Sequence, residues 1–86
     1  MDEDKIKLEL KKYKENNIKK YGSLLNTLTG NEKQVLELYF GLLDGKEYSL
    51  KEISEKIMPK RPIMEFRVRQ FLAKALRKID YNLKED

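Results

Sequence analysis

Apolar residues recur at helical spacing along the first third of the chain, which is otherwise rich in lysine. Spacings of three and four residues place such side chains on one face of an amphipathic helix. Asn16-Asn17 and Gly22-Ser23 lower helix propensity within this stretch. The pattern therefore predicts either one long helix or two short ones. The periodic positions are Ile6, Leu10, Tyr13, Ile18, Tyr21, Leu25 and Leu28.

Two capping boxes predict where the next helices begin. Thr29 is followed three residues later by Glu32, and Ser49 by Glu52. At this spacing the hydroxyl accepts from one free backbone N–H of the first turn, and the carboxylate accepts from another. We therefore expect helices to start immediately after Thr29 and after Ser49.

The ends of these two helices also have sequence signals. The first carries apolar residues as far as Phe40, and the glycines of residues 41–45 are typical of a turn that ends a helix. The second is predicted to stop at Pro59. Its inner face consists of Leu50, Ile53 and Ile57.

The last third of the chain predicts a helix with one apolar side and one cationic side, and Pro62 suits its first turn. Counted at 100° per residue from Val68, its apolar residues share one face, which we expect to be core. They are Val68, Met64, Phe71, Leu72, Ala75, Leu76 and Ile79. The opposite row is Phe66, Gln70, Ala73 and Arg77, flanked by Arg67, Arg69 and Lys74.

These elements predict an all-α fold, a small bundle of four or five helices in one domain of 86 residues. The last two helices, joined by a turn, have the outline of a helix-turn-helix. In that motif the second helix enters the major groove of DNA.

Positive charge is concentrated between Pro59 and Ile79. This segment contains seven lysines and arginines against one acid, Glu65, and so carries +6, whereas the rest of the chain sums to −2. Such a patch favours a polyanion, because phosphates that are neutralised release their counterions. The alternative interpretation is that the positive charges simply lie on a solvent-exposed helix face and are balanced by acidic residues elsewhere in the chain. We favour double-stranded DNA as the partner.

Composition argues against catalysis and against a metal site. The chain has no cysteine and no histidine, which removes thiolate and imidazole chemistry and the usual zinc ligands. Its acids are spread singly along the helices, so we expect no enzyme, no metal and no cofactor. No apolar run approaches the roughly 20 residues that span a bilayer, and the acidic start differs from a signal peptide. We expect a cytoplasmic protein with no membrane partner.

Several separate blocks of the sequence resemble region 4 of bacterial sigma factors, in the same order, over about Leu24 to Ile79. The blocks are Val35 to Leu42, Asp44-Gly45, Tyr48 to Ile53, Arg67 to Gln70 and Ala73 to Lys78. The resemblance divides the chain into an amino-terminal helical extension (1–22), a region-4-like domain (23–81) and a tail (82–86). Because regions 2 and 3 are absent, the chain is either an excised domain or a stand-alone protein; we expect the second.

The resemblance implies two contacts, one with the flap of the RNA polymerase β subunit and one with the promoter's minus-35 element. A separate protein with region 2 activity would be a further partner. Gln70 keeps a base-reading position, where a glutamine can bind adenine. The residues expected on phosphates are Lys60, Arg61, Arg67, Arg69, Lys74 and Arg77. Those that would line the groove for the flap are Leu36, Tyr39, Phe40 and Ile79, unless they are plain core.

The chain also departs from the family. Its turn before the last helix is longer and contains Pro59 and Pro62, and Glu65 and Phe66 replace an Arg-Glu pair that reads bases. Phe66 has three interpretations: the inserted turn covers it, it contacts a thymine methyl group in DNA, or it contacts a protein. The family's sequence preference therefore does not carry over whole.

Two rival functions remain open. One is an adaptor that mimics a sigma domain and binds polymerase without reading DNA, which the changes at Glu65 and Phe66 favour. The other is a helix-turn-helix repressor, which would need a dimer interface for two half-sites.

Overall fold

The computed structural model describes residues 2–57 and 64–84. Within that part the chain forms five α-helices and no strand, which confirms the all-α class. The amino-terminal pattern resolves into two helices rather than one. The helices are α1 (Glu3–Asn16), α2 (Ile18–Leu25), α3 (Gly30–Tyr39), α4 (Leu50–Ile57) and α5 (Glu65–Lys84).

Asn17 separates α1 from α2 and serves both. Its backbone N–H donates to the Tyr13 carbonyl at 2.7 Å and so closes the end of α1. Its side-chain oxygen accepts from the Lys20 N–H at 3.2 Å and so caps the start of α2. Each helix end leaves backbone groups without helical partners, and this residue satisfies some of them on both sides.

Both predicted capping boxes are confirmed. The Glu32 N–H donates to the Thr29 hydroxyl at 3.3 Å, and the Thr29 N–H donates to the Glu32 carboxylate at 3.0 Å. Ser49 and Glu52 repeat the exchange at 3.2 and 3.0 Å. The start of α3 and the start of α4 are therefore fixed by their own sequences.

A glycine turn sends the chain from α3 towards α4. Gly41 has φ +68°, and a Cβ there would lie 3.2 Å from backbone atoms of Gly45 and Lys46, so a side chain would meet main chain. The Asp44 carboxylate then accepts from the Lys46 N–H at 3.0 Å and from the Tyr48 hydroxyl at 2.7 Å. This turn sets where α4 begins.

The hydrophobic core lies around α5, which packs against each of the other four helices. Phe71 is half-buried at its edge. Met64 was expected on the core face, and that prediction is wrong because its side chain is 72% exposed. It precedes the first residue of α5, so a count at helical angles does not apply to it. The α5 residues expected in the core are buried: Val68, Leu72, Ala75, Leu76 and Ile79.

The helices cross both of the predicted internal boundaries. α2 spans residues 22 and 23, and α5 continues through residues 81–84, where Leu83 packs against the core. At the other end, α1 contributes Ile6 and Leu10 to the same core. The extension and the start of the tail thus belong to one packed unit with the helix-turn-helix. The predicted stop at Pro59 and the predicted place of Pro62 in the first turn of the last helix lie outside the described residues.

Candidate nucleic-acid interface

The row of side chains opposite the core on α5, which we call the outward row, faces solvent. It consists of Phe66, Gln70, Ala73 and Arg77, and all four are exposed. The prediction of its orientation is confirmed. Ala73 has only a methyl group, so it leaves room for the α5 backbone to approach a partner closely. Phe66 has 61% of its surface exposed. The inserted turn that was expected to cover it, residues 58–63, lies outside the described residues.

Cationic side chains flank the outward row. Arg67, Arg69 and Lys74 are all exposed. The guanidinium of Arg67 lies 5.8 Å from the centre of the Phe71 ring, a cation–π distance that restrains it at the surface. The predicted contacts of Lys60 and Arg61 lie outside the described residues.

The two acidic residues of α5 neutralise little of the positive charge on this surface. Asp80 pairs with Lys84 one turn further on, at 3.1 Å. Glu65 stands in the first turn, where the helix dipole favours a negative charge. The outward row and its flanks therefore present guanidinium, ammonium and amide donors on one side of a 20-residue helix. That arrangement suits a row of phosphates.

Lys78 does not belong to this surface, although it adds to the +6 of the segment. Its ammonium donates to the Glu32 carboxylate at 2.7 Å, and the Glu32 side chain is only 5% exposed. Since the same carboxylate closes the capping box of α3, one acid ties the start of α3 to α5. Lys78 lies about 80° from Val68 when the helix is counted at 100° per residue, and that intermediate position was the available sequence signal.

The protonation of Glu32 follows from its surroundings. Burial alone would raise the pKa of this carboxyl group. The hydrogen bond from Lys78 and those from Thr29 outweigh it, together with the positive charge of Lys78, so the pKa lies below its usual value. The carboxyl group is therefore ionised at neutral pH, and its negative charge balances the positive charge of Lys78 within the fold.

The four residues expected to line a groove for the polymerase flap lie together but are mostly covered. Leu36, Phe40 and Ile79 are buried, each with 2% or less of its surface exposed. Tyr39 is half-buried, and its ring contacts the ring of its neighbour Phe40 at a tilt, with ring centres 5.5 Å apart. The interpretation of the three buried residues as core is therefore supported, and their contact with a partner stays a prediction.

Helix α1 lies beside this group. Lys7 pairs with Glu47 at 3.2 Å, in the turn after α3. The Lys14 ammonium donates to the Leu42 carbonyl in the same turn. The Glu3 carboxylate raises the pKa of the Tyr39 hydroxyl by hydrogen bonding, and burial raises it further. These contacts hold α1 against the turn after α3 and place Glu3 beside Tyr39.

No helix in the described part of the chain is both long and apolar enough to cross a membrane. Within residues 2–57 and 64–84, no three acidic, histidine or cysteine side chains converge in a way that could hold a metal ion.

Comparison with known proteins gives matches over the part of the chain that contains this surface. The family model for sigma-70, region 4, matches residues 24–80, which include α3, α4 and most of α5. The RNA polymerase sigma factor SigA of Clostridium acetobutylicum is 46% identical over 56 residues, which are 65% of this chain and 14% of that protein. SigA4 of Synechococcus elongatus is 44% identical over 52 residues, 60% of this chain and 15% of that protein.

No solved structure gives a significant match. The chain spans about one seventh of the length of the curated relatives it matches. The matched segment nevertheless covers well over half of the chain and contains the whole described interface. The chain belongs to the family of sigma-70, region 4.

Proposed function

We propose that this chain acts in transcription as a region-4-like subunit, which places α5 in the major groove of promoter DNA near the minus-35 element and docks on the β flap of RNA polymerase. The observation that carries the DNA contact is the outward row of α5, exposed and flanked by cations on both sides. Such a role belongs in the cytoplasm. Only the region 4 part of the curated relatives is covered, so no activity of their other regions is proposed.

In this proposal the cations position the helix, and Gln70 of the outward row specifies the sequence. Arg67, Arg69, Lys74 and Arg77 bind phosphate oxygens, which fixes the position of α5 without reading bases. Gln70 stands in the outward row, where its amide can both donate to and accept from the edge of an adenine. Lys60 and Arg61 are proposed as further phosphate contacts.

The groove can hold α5, because the major groove of B-DNA admits one α-helix. The bare methyl group of Ala73 in the middle of the outward row permits a close approach. Helix α4, which packs against α5, then crosses the backbone as the first helix of the motif does.

The proposal is tested by the salt dependence of binding to duplex DNA. The affinity of the intact chain should fall linearly with salt on logarithmic axes, because each phosphate contact releases counterions. Lys74→Ala should lower the magnitude of the slope by about 0.9. Lys78→Ala, one turn away, removes the same charge from a side chain already bound to Glu32, and should leave the slope nearly unchanged. An affinity that does not change with salt would contradict the DNA contact.

Docking on the flap is proposed through the surface around Tyr39, with its three buried neighbours beneath. A partner helix in a groove needs exposed apolar surface. Since Glu3 of α1 hydrogen-bonds to Tyr39, we infer that full docking requires α1 to move aside. The contacts of Lys7 and Lys14 with the turn after α3 oppose that movement.

Capture by an immobilised β-flap fragment tests this contact. Tyr39→Ala should weaken capture, whereas Lys33→Ala, an exposed change on the same helix, should not. Phe40 is unsuitable for this test, because truncating a buried aromatic residue costs roughly 3–5 kcal/mol and threatens the fold. Lys14→Ala should strengthen capture if α1 must move. Absence of capture by the intact chain would refute the docking proposal.

The second candidate is an adaptor that binds polymerase without reading DNA. Glu65 and Phe66 favour it, because they replace residues that resemblance assigns to base reading. Flap capture combined with a flat salt dependence of DNA binding would select the adaptor. The repressor alternative would require a dimer in solution, which sedimentation can detect.

A further inference from the structure

Phe66 is a large apolar side chain that is exposed on the outward row of α5, next to cationic side chains. Its exposed neighbours at the start of α5 are Met64, Glu65, Arg67, Arg69 and Gln70. The cation–π contact of Arg67 is made with Phe71, on the side of the helix next to the core, and not with Phe66. A partner that removes an exposed phenyl ring from water gains favourable binding free energy from its burial.

The surroundings of Phe66 favour DNA over a protein as that partner. Arg67, Arg69 and Lys74 flank the outward row in which this ring stands, and such cations bind phosphates. DNA offers the complementary arrangement, with phosphates at the edges of the groove and an apolar group on its floor. That group is the 5-methyl of thymine, which apolar side chains contact in the major groove.

The position of Phe66 fits the same reading. Phe66 and Gln70 are four residues apart on α5, so their Cβ atoms are about 6 Å apart on one face. Successive base pairs of B-DNA are about 3.4 Å apart. Two such side chains therefore reach base pairs one or two steps from each other.

We propose that Phe66 is a specificity-determining residue of this chain, which selects thymine by packing its ring against the 5-methyl group beside the base that Gln70 reads. The inference rests on the proposed DNA contact. It replaces the charged readers expected from the resemblance with an apolar one, and so predicts a different sequence preference.

Replacing single thymines by deoxyuridine tests this inference, because that change removes one methyl group and leaves the base-pairing edge and the phosphates intact. The intact chain is first used to select its preferred duplex from a randomised pool. Each thymine of that duplex is then replaced in turn, and affinity is measured at one salt concentration. One replacement should weaken binding about fourfold, which corresponds to the burial of one methyl group at about 0.8 kcal/mol.

Two variants assign the effect to the residue. Phe66→Ala should bind the thymine and deoxyuridine duplexes equally. Tyr81→Ala removes an exposed aromatic side chain from the far end of the same helix and should keep the fourfold preference. Both changes are at exposed positions, and thermal melts should show that the variants remain folded.

The outcomes separate this inference from the DNA contact itself. Salt-dependent binding without enrichment of any sequence, or with equal affinity for thymine and deoxyuridine, overturns the role of Phe66 and leaves the DNA contact standing. An intact chain that binds no duplex overturns both. If Phe66→Ala instead weakens capture by the β-flap fragment, the ring contacts a protein and the inference is wrong.

Discussion

The link between Glu32 and Lys78 makes a strong prediction about stability. In Lys78→Ala the Glu32 carboxylate keeps its contacts with Thr29 but loses the ammonium at 2.7 Å, while it remains almost fully buried. A hydrogen bond that involves a charged group contributes about 1.5–3 kcal/mol. Since the Lys78 side chain is 40% exposed, water partly screens the pair, and we expect a loss of about 2 kcal/mol. For a domain of this size that lowers the melting temperature by roughly 8–16 °C.

The assay is thermal unfolding followed by far-ultraviolet circular dichroism. Lys74→Ala is the matched control, because Lys74 is exposed on the same helix and its loss should change the free energy of unfolding by less than about 0.5 kcal/mol. Adding Glu32→Gln to Lys78→Ala should restore part of the loss, since a glutamine can still complete the capping box. If Lys78→Ala melts no lower than Lys74→Ala, the reasoning is refuted.

The same pair predicts a dependence on pH. The folded-state pKa of Glu32 lies below its usual value, so its stabilising contribution is complete above the ordinary glutamate pKa of about 4.3 and is lost as the pH falls through the folded value. The difference in stability between the intact chain and Lys78→Ala should therefore be full at neutral pH and shrink on acidification.

Three further predictions concern other parts of the molecule. Gly41→Ala should lower the free energy of unfolding, measured in denaturant, by about 1–3 kcal/mol, because Gly41 has a positive φ and lies close to other backbone atoms. Gly22→Ala lies within α2, where nothing is near the added methyl group, and should raise the free energy of unfolding by about 0.5–1 kcal/mol. Tyr21→Phe should stabilise the fold by up to about 1 kcal/mol, because the buried hydroxyl finds no hydrogen-bond partner among the described residues. Burial, and then the Glu37 carboxylate, raise the pKa of Tyr21 to about 12, so the intact chain should lose stability between pH about 10 and about 12 and Tyr21→Phe should lose less. Gln70→Ala should cost about 1–3 kcal/mol at the preferred duplex and little at random DNA, measured at one salt concentration.

Local signals in the sequence predicted much of the fold. The two capping boxes placed the starts of α3 and α4, and apolar spacing assigned the core face of α5 from Val68 onwards. Angle counting failed for Met64, because helical geometry cannot describe a residue that precedes the helix. The choice between one and two amino-terminal helices stayed open, because a single residue, Asn17, decides it by capping both ends.

The candidate site was predicted less completely, for reasons of tertiary structure. The outward row follows from periodicity alone, and its exposure is confirmed. The pairing of Lys78 with Glu32 joins residues 46 positions apart, which no local pattern reveals. In the same way, burial of Leu36, Phe40 and Ile79 depends on what the neighbouring helices cover. Which cations are available to a partner is therefore decided by long-range contacts.

Helix α1 shows that the segment similar to known proteins is shorter than the unit that folds together. The similarity to other proteins begins at Leu24, yet Ile6 and Leu10 lie in the same core as the matched helices. Burial of two such side chains stabilises a fold by roughly 3–6 kcal/mol, a large share of the 5–15 kcal/mol that keeps a typical domain folded. A fragment of residues 24–80 would thus keep all the residues that match the family but lose α1, and with it a large part of the free energy that keeps the domain folded.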